Sequence, residues 1–321
     1  MEYSKGEMVR RNNSFGVEFI LLGFSELPHF HDILFGIFLV IYMSILLGNG
    51  LIILIAVVDP ALQTPMYFFL GNFSFLEICY TSVTIPRMLT DLLTQKQNIS
   101  LFACAVQLGF LMILGATECF LLTVMAYDRY VAICKPLNYS IIMNHKMCIQ
   151  LVSGSWTIGI PVQLGLTYQI FSLPFCGPKK LNHIFCDIRP ILKVACGDTS
   201  VKEFSLYLIV VLFGVVPFLL ILWSYLKIIG TILKLPSAMG RSKAFSTCSS
   251  HVMVVGLFFL SVIITYLQPK STHSEGNDKF FSLFYTVVTP MFNPIIYTLR
   301  NKDVLIALRK FLPISGGLES K

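Results

Sequence analysis

Residues 125–139 read Met125-Ala-Tyr-Asp128-Arg129-Tyr130-Val-Ala-Ile-Cys134-Lys135-Pro136-Leu-Asn138-Tyr139 and close an apolar run that begins at Leu101. An acid and a fixed cation, Asp128 and Arg129, stand where the run reaches water, and Pro136 then breaks the helix. Ionisable groups at the edge of hydrocarbon are expensive and tend to be functional. As a bare tripeptide, Asp128-Arg129-Tyr130 would indicate only an interfacial ion pair. The stretch predicts the end of a membrane-spanning helix.

The composition of the chain agrees with a membrane protein. Of its 321 residues, 55% are hydrophobic and 13% are charged, and the mean hydropathy is +0.74. A soluble domain carries about 25% charged residues, so most of this surface must face lipid. The net charge of +7 fits basic loops at lipid headgroups better than a nucleic-acid partner.

Seven apolar segments are long enough to span a bilayer, for which about 20 residues are needed. They lie near residues 33–58, 66–89, 101–127, 147–170, 204–230, 244–267 and 280–299. The sequence predicts an all-α membrane protein: a seven-helix bundle followed by a short amphipathic helix at the inner leaflet. The predicted divisions are an extracellular segment 1–32, the helical domain 33–299, and a cytoplasmic helix and tail 300–321.

The orientation of the chain is not decided by its basic residues, which divide equally between the two sides. Glycosylation sequons begin at Asn12 and Asn98, which share one side of the membrane in this topology. The same side holds four cysteines, at 104, 176, 186 and 196, and disulfides persist outside the cell. The prediction is an extracellular N-terminus. Four cysteines allow three pairings.

Several motifs together resemble the olfactory receptors, a branch of the rhodopsin-like G-protein-coupled receptors. Residues 125–134 read Met-Ala-Tyr-Asp-Arg-Tyr-Val-Ala-Ile-Cys, and residues 243–251 read Lys-Ala-Phe-Ser-Thr-Cys-Ser-Ser-His. Helix two opens with Pro-Met-Tyr-Phe-Phe-Leu at 65–70, and helix seven ends with Asn293-Pro294-Ile-Ile-Tyr297 followed by Thr-Leu-Arg-Asn-Lys. The resemblance runs from about residue 15 to residue 312.

The resemblance implies two disulfides and a switch. The bridges would be Cys104–Cys186, and Cys176–Cys196 inside the loop before helix five. In the switch, Asp128 would hold Arg129 in the inactive state and release it to meet a G protein. The residues implied in switching and coupling are Asp128, Arg129, Tyr130, Lys243, His251, Asn293, Pro294 and Tyr297. For His251 alone, a packed polar role is the competing interpretation.

Two acids lie within apolar segments, Glu77 in helix two and Glu118 in helix three. Glu118 and Arg129 are eleven residues apart, which returns to within about 20° of the same helical face. Two buried carboxylates do not both ionise cheaply unless a cation or proton lies between them. The hypothesis is a sodium or proton site that favours an inactive state. The competing interpretation is two neutral acids, each hydrogen-bonded to polar neighbours. No other metal or cofactor is predicted.

Helical spacing from these anchors predicts a ligand pocket in the outer half of helices three, five, six and seven. Helix six departs from the family pattern Phe-Tyr-Gly, because it reads Phe258-Phe259-Leu260 and lacks that hydroxyl. The predicted pocket is small and mostly apolar, and it suits a neutral volatile better than a charged amine. Its predicted lining residues are Leu111, Met112, Gly115, Ala116, Ile209, Phe213, Phe259, Ile263, Tyr266, Leu283 and Thr286.

The predicted function is a plasma-membrane odorant receptor that activates a heterotrimeric stimulatory G protein and raises cyclic AMP. The same kind of receptor could serve chemosensing outside the nose, because sequence does not record tissue. An ion-coupled transporter using Glu77 and Glu118 is the alternative from another class, but the two halves of the chain show no internal repeat. No catalytic triad, metal-ligand cluster or phosphate loop predicts an enzyme.

Overall fold

The computed structural model describes residues 18–176, 178–234, 236–267, 275–300 and 302–311. Most of them are helical, because in lipid a helix satisfies every backbone hydrogen bond within one segment. The predicted all-α membrane bundle is confirmed. Asn12 and the tail after residue 311 lie outside the described residues.

Within the described residues, seven long helical segments form the bundle, and they are numbered one to seven along the chain. Segments one, two and three are the single helices α1 (His31–Val58), α2 (Pro65–Thr94) and α3 (Leu101–Cys134). The short helix α4 (Tyr139–Ile142) follows segment three. Segment four consists of two helices, α5 (His145–Thr157) and α6 (Ile160–Phe171). The helix α7 (Ile188–Val194) lies in the loop before segment five. Segment five consists of α8 (Ser200–Val210) and α9 (Val216–Ile232), and segment six is α10 (Ala238–Leu267). Segment seven consists of α11 (Glu275–Leu283) and α12 (Thr289–Arg300).

Six of these segments are long and apolar enough to cross a membrane. Segment four is divided because Pro161 has no backbone N–H to continue the helical ladder. The two residues between its halves, Ile158 and Gly159, nevertheless keep right-handed helical dihedral angles. Segment four is therefore one continuous helical segment with an interruption at Pro161, and the number of membrane segments remains seven.

Segments five and seven each contain one turn of π-helix, at Val211–Val215 and Phe284–Val288. A π turn carries an extra residue, so it rotates the side chains that follow relative to an unbroken α-helix. Segment three packs against segments two, four, five and six, and segment one packs against segments two and seven. Segment three is therefore the central rod of the bundle.

A three-stranded sheet covers one end of the bundle, which is called here the sheet end. Its strands are β1 (Glu18–Leu21), β2 (Asn98–Ser100) and β3 (Lys180–Leu181), in the order β2-β1-β3. The strand β1 runs antiparallel to β2 and parallel to β3. Phe19 and Leu21 of β1 are fully buried. This sheet was not predicted from the sequence, because strands of two to four residues carry no periodicity that can be recognised.

The opposite end of the bundle carries the predicted amphipathic helix, α13 (Lys302–Phe311). Its apolar residues Val304 and Ala307 are buried, and Lys310 pairs with Asp59 at 3.3 Å. The backbone N–H of Ala61 donates to Asp59 at 3.0 Å and holds the pKa of this carboxyl below its usual value. A charged Asp59 can thus anchor α13 to the loop between segments one and two.

Candidate ligand cavity and switch

A mostly apolar cavity of about 90 Å³ lies among segments two to seven, towards the sheet end. Seven residues predicted for the ligand pocket line it: Leu111, Met112, Gly115, Ala116, Ile209, Phe213 and Tyr266. Nine further residues complete the lining: Tyr80, Cys119, Gln163, Leu206, Val210, Gly214, Phe258, Val262 and Tyr285. Both π-helical turns contribute to the wall, through Phe213, Gly214 and Tyr285.

Four predicted pocket residues lie elsewhere. On segment six the cavity is lined by Phe258, Val262 and Tyr266, which are four residues apart, so Phe259 and Ile263 fall on the neighbouring face. Phe259 packs instead against Phe218, with ring centroids 5.1 Å apart.

On segment seven, the π turn brings Tyr285 to the cavity wall in place of the two predicted residues. Thr286 is buried and donates to the carbonyl oxygen of Ser282 at 2.6 Å. Leu283 packs among the apolar residues of the bundle core.

Some of the missed residues had a signal in the sequence. Gln163 and Tyr80 are polar groups inside membrane segments, and such groups face the bundle interior far more often than lipid. Gln163 is buried, with 1% of its surface exposed. The others are aliphatic or aromatic and do not differ in character from the residues beside them, so spacing alone could not select them.

The loop before segment five forms a lid over the cavity and is fixed by both implied disulfides. Cys104 at the start of α3 is bonded to Cys186, with Cα atoms 5.5 Å apart. Cys176 and Cys196 are joined within the loop, with Cα atoms 5.8 Å apart. Among the described residues, the free cysteines are those at 79, 119, 134, 148 and 248.

Hydrogen bonds tie this lid to segments six and seven. The hydroxyl of Tyr266 donates to the buried Asp187 at 2.9 Å and lies 3.4 Å from the hydroxyl of Tyr285. A second tie joins Nε2 of His183 to the hydroxyl of Ser282 at 2.8 Å. Because Nδ1 of His183 lies 2.9 Å from a carbonyl oxygen, it carries the proton, and Nε2 accepts from Ser282. The cavity therefore has one hydroxyl-bearing end, beneath the lid.

The two acids of segments two and three are buried beyond the cavity, with 0% of Glu77 and 2% of Glu118 exposed. The side-chain amide of Asn293 donates to Oε1 of Glu77. No described group is hydrogen-bonded to the buried Oε2 of Glu77 or to Oδ1 of Asn293. Two such oxygens beside a second carboxylate are chemically suited to a proton or a small hard cation. The described residues contain no cluster of three or more His, Cys, Asp or Glu suited to a metal.

The expected ion pair between Asp128 and Arg129 is absent from the described contacts. Asp128 is buried and instead accepts a hydrogen bond from the hydroxyl of Tyr139 at 2.8 Å. Burial and the Asp128 carboxylate raise the pKa of Tyr139, so the phenol stays a donor. Adjacent helical residues point about 100° apart, which lets Asp128 face α4 while Arg129 faces elsewhere.

Arg129 lies in the neighbourhood of four groups on segments five, six and seven: Tyr225, Cys248, His251 and Tyr297. Within this set the hydroxyl of Tyr225 lies 2.7 Å from Nδ1 of the buried His251. Arg129 thus lies where four segments converge. Tyr130, the third residue of the motif, packs on Trp223 of segment five, with ring centroids 5.6 Å apart.

Segment seven approaches segment one at Pro294. A Cβ added to Gly48 would lie 3.1 Å from the ring of Pro294, so glycine permits this close contact. Tyr297 is buried one turn further along α12. Lys243 lies in α10, and its side chain falls outside the described part of the structure.

Sequence comparison gives this arrangement a family. A model of the olfactory receptor family matches residues 38–313. Human olfactory receptor 10AG1 is 63% identical over 296 residues, which cover 92% of this chain and 98% of that receptor. The chain belongs to the olfactory receptor family. Human olfactory receptors 10C1 and 10A7 are 50% and 51% identical, each over at least 93% of this chain and 96% of their own.

Membership of the olfactory receptor family confirms the resemblance carried by the motifs at 125–134 and 243–251. Olfactory receptors are G-protein-coupled receptors and not enzymes, so the buried polar groups of this chain need no catalytic role. The apolar segments of this olfactory receptor make it a multi-pass membrane protein.

Proposed function

We propose that this olfactory receptor binds a small neutral odorant in the cavity and activates a stimulatory G protein, which raises cyclic AMP. The observation that carries the proposal is the mostly apolar cavity with a hydroxyl end, which lies below a disulfide-bonded loop. A mostly apolar ligand with one hydrogen-bonding group fits such a wall. A charged ligand would have to lose its hydration beside apolar groups, which is costly.

The proposed orientation has the sheet end outside the plasma membrane. It is supported by the two disulfides, which persist in oxidising compartments. Asn98 is exposed at the edge strand β2, although its amide donates to Glu18 at 3.1 Å. In this orientation segment 1–32 is extracellular, 33–299 spans the membrane, and 300–321 is cytoplasmic.

Segment six is the proposed moving element. Its residues Phe258, Val262 and Tyr266 line the cavity, and His251 lies about 10 Å further along the same helix, on Tyr225. A ligand shifts an equilibrium only as far as it binds one state better than the other. An odorant that favours a displaced segment six would thus weaken the Tyr225–His251 contact and open a cleft beside Arg129 for the G protein.

The direct test is a cyclic-AMP assay in cells that carry this receptor, the olfactory-type stimulatory G protein and a panel of neutral odorants. At least one odorant is expected to raise cyclic AMP in a saturable manner. Surface staining and a second, characterised receptor in the same cells serve as controls. Silence across a broad panel, with both controls working, would count against the odorant role.

Filling the cavity should weaken the response. A Cβ added to Gly115 meets nothing within 4 Å, so Gly115→Leu places its side chain in space that the odorant needs. The half-maximal concentration should rise roughly tenfold or more, which corresponds to about 1.4 kcal/mol. Gly154→Leu is the matched control, because Gly154 also has open space around it but is exposed on segment four. Equal potencies for both variants would show that the odorant binds elsewhere.

Glu77, Glu118 and Asn293 are proposed to hold a sodium ion or a shared proton that favours the inactive state. A bound sodium ion would offset the charge of one of the two carboxylates. In receptor membranes, replacing potassium by sodium at constant ionic strength should then lower odorant potency. Glu118→Gln should abolish this difference, whereas Glu26→Gln, at the exposed sheet end, should preserve it. A wild-type receptor that is insensitive to sodium but sensitive to pH would indicate the shared proton.

A further inference from the structure

A groove of about 710 Å³ lies on the outside of the bundle, at the end opposite the sheet. Segment two forms its floor, while segment one and the start of α5 form its walls. Its volume lies within the range of about 300–1,000 Å³ that is typical of small-molecule sites. The groove is separate from the odorant cavity, with which it shares no lining residue.

The groove is amphipathic along its length. Its apolar part includes Val57, Phe68 and Phe75, whose side chains are all exposed. Its polar part, near the end of the bundle, includes Gln63 and His145, which are also exposed. An occupant that satisfies both parts must carry a polar head and an apolar chain.

Asn72 of α2 also lines the groove. Its side-chain nitrogen donates to the carbonyl oxygen of Phe68 at 2.9 Å, and its side-chain oxygen accepts no bond among the described contacts. Asn72 is about 10 Å from the start of α2. That helix has 30 residues and is thus about 45 Å long, longer than the roughly 30 Å of hydrocarbon. Asn72 therefore lies close to the level at which lipid headgroups join their acyl chains.

The charge around the groove is positive. His145 and Lys146 begin α5 and are exposed, and Lys146 forms no ion pair within the described contacts. Residues 129–150 contain no acid. Residues 53–75 contain one acid, Asp59. Asp59 does not line the groove and is paired with Lys310. Basic pockets between membrane helices on the cytoplasmic side attract anionic headgroups.

We propose that this groove is a binding site for an anionic glycerophospholipid of the inner leaflet. The phosphate would meet His145 and Lys146, the glycerol region would lie by Gln63 and Asn72, and one acyl chain would follow the exposed aromatic side chains of segment two. The proposal depends on the proposed orientation, which puts this end in the cytoplasmic leaflet, and not on odorant binding.

The test is native mass spectrometry of the purified full-length receptor with equal amounts of phosphatidylserine and phosphatidylcholine. Phosphatidylserine should bind at least about threefold better, a difference of about 0.7 kcal/mol. Lys146→Gln should abolish that preference, while Lys234→Gln, which removes another exposed charge just after segment five, should retain it. Gly71→Phe should lower the binding of both lipids, because a Cβ there meets only Ala56 at 3.9 Å and the ring would enter the groove.

Several outcomes would overturn the proposal: equal binding of the two lipids, an equal effect of the two lysine variants, or a sterol that occupies the groove and excludes phosphatidylserine. Thermal unfolding in phosphatidylcholine alone checks that each variant folds. Lys146→Gln changes only an exposed side chain, so the charge test remains decisive if Gly71→Phe does not fold. The cyclic-AMP assay is independent, because phosphatidylserine preference needs no odorant.

Discussion

Arg129→Ala should reduce the maximal cyclic-AMP response to an odorant by roughly tenfold or more without removing the receptor from the cell surface. Arg129 lies in the neighbourhood of Tyr225, His251 and Tyr297, which belong to three different segments. An alanine cannot replace this fixed cation, either in contacts between segments or in contacts with a G protein. A loss of about 1.4 kcal/mol from the active state alone lowers its population tenfold when that state is minor.

The control for this variant is Lys234→Ala, which removes one positive charge from the same end of the bundle at an exposed position. Its response should stay within about twofold of the wild type, because an exposed lysine contributes little. Odorant binding by Arg129→Ala should persist, since the arginine does not line the cavity. A full response from Arg129→Ala at normal surface density would refute its role in coupling.

The second large effect is expected from the lid. The cysteines of the Cys104–Cys186 bridge are 82 residues apart. In the chain-entropy model, loss of this bridge lowers the free energy of unfolding by about 4.5 kcal/mol. The Cys176–Cys196 bridge spans 20 residues and is worth about 3.3 kcal/mol by the same relation. Cys104→Ser should therefore lower the unfolding temperature and surface expression more than Cys176→Ser does.

Purified receptor in one detergent, followed by thermal unfolding with and without a reducing agent, measures this order. Cys79→Ser is the matched control, because Cys79 is a free and only partly buried thiol of segment two. Reduction should bring the wild type down to the level of the double variant Cys104→Ser/Cys176→Ser. An equal effect of the two bridges would mean that loop length does not determine their contribution in this membrane protein.

The sequence predicted the bundle well because membrane segments are recognised by length and hydropathy, which need no tertiary information. Both disulfides came from the family resemblance, since four cysteines alone leave three pairings open. The cavity was predicted in part. Segment three runs unbroken from Leu111 to Ala116, so helical spacing placed its lining residues in the cavity wall.

On segment seven, spacing failed because the π turn adds a residue, which favours Tyr285 over Thr286. Whether a helix widens into a π turn depends on its neighbours and not on a local sequence signal. The partner of Asp128 was missed for a similar reason. Tyr139 follows Pro136, and the turn between them determines whether its hydroxyl points back to α3.

The strand β1 is made before either strand that it joins. Ile20 pairs with Asn98 and with Lys180, so its second partner emerges only after four membrane segments have been synthesised. Phe19 and Leu21, which are buried in the complete fold, lack part of their packing until then. Exposed apolar strands are prone to aggregation. Assembly of the sheet is thus a late, long-range event in biogenesis. The strand β1 can complete its pairing only after the middle of the chain has been synthesised.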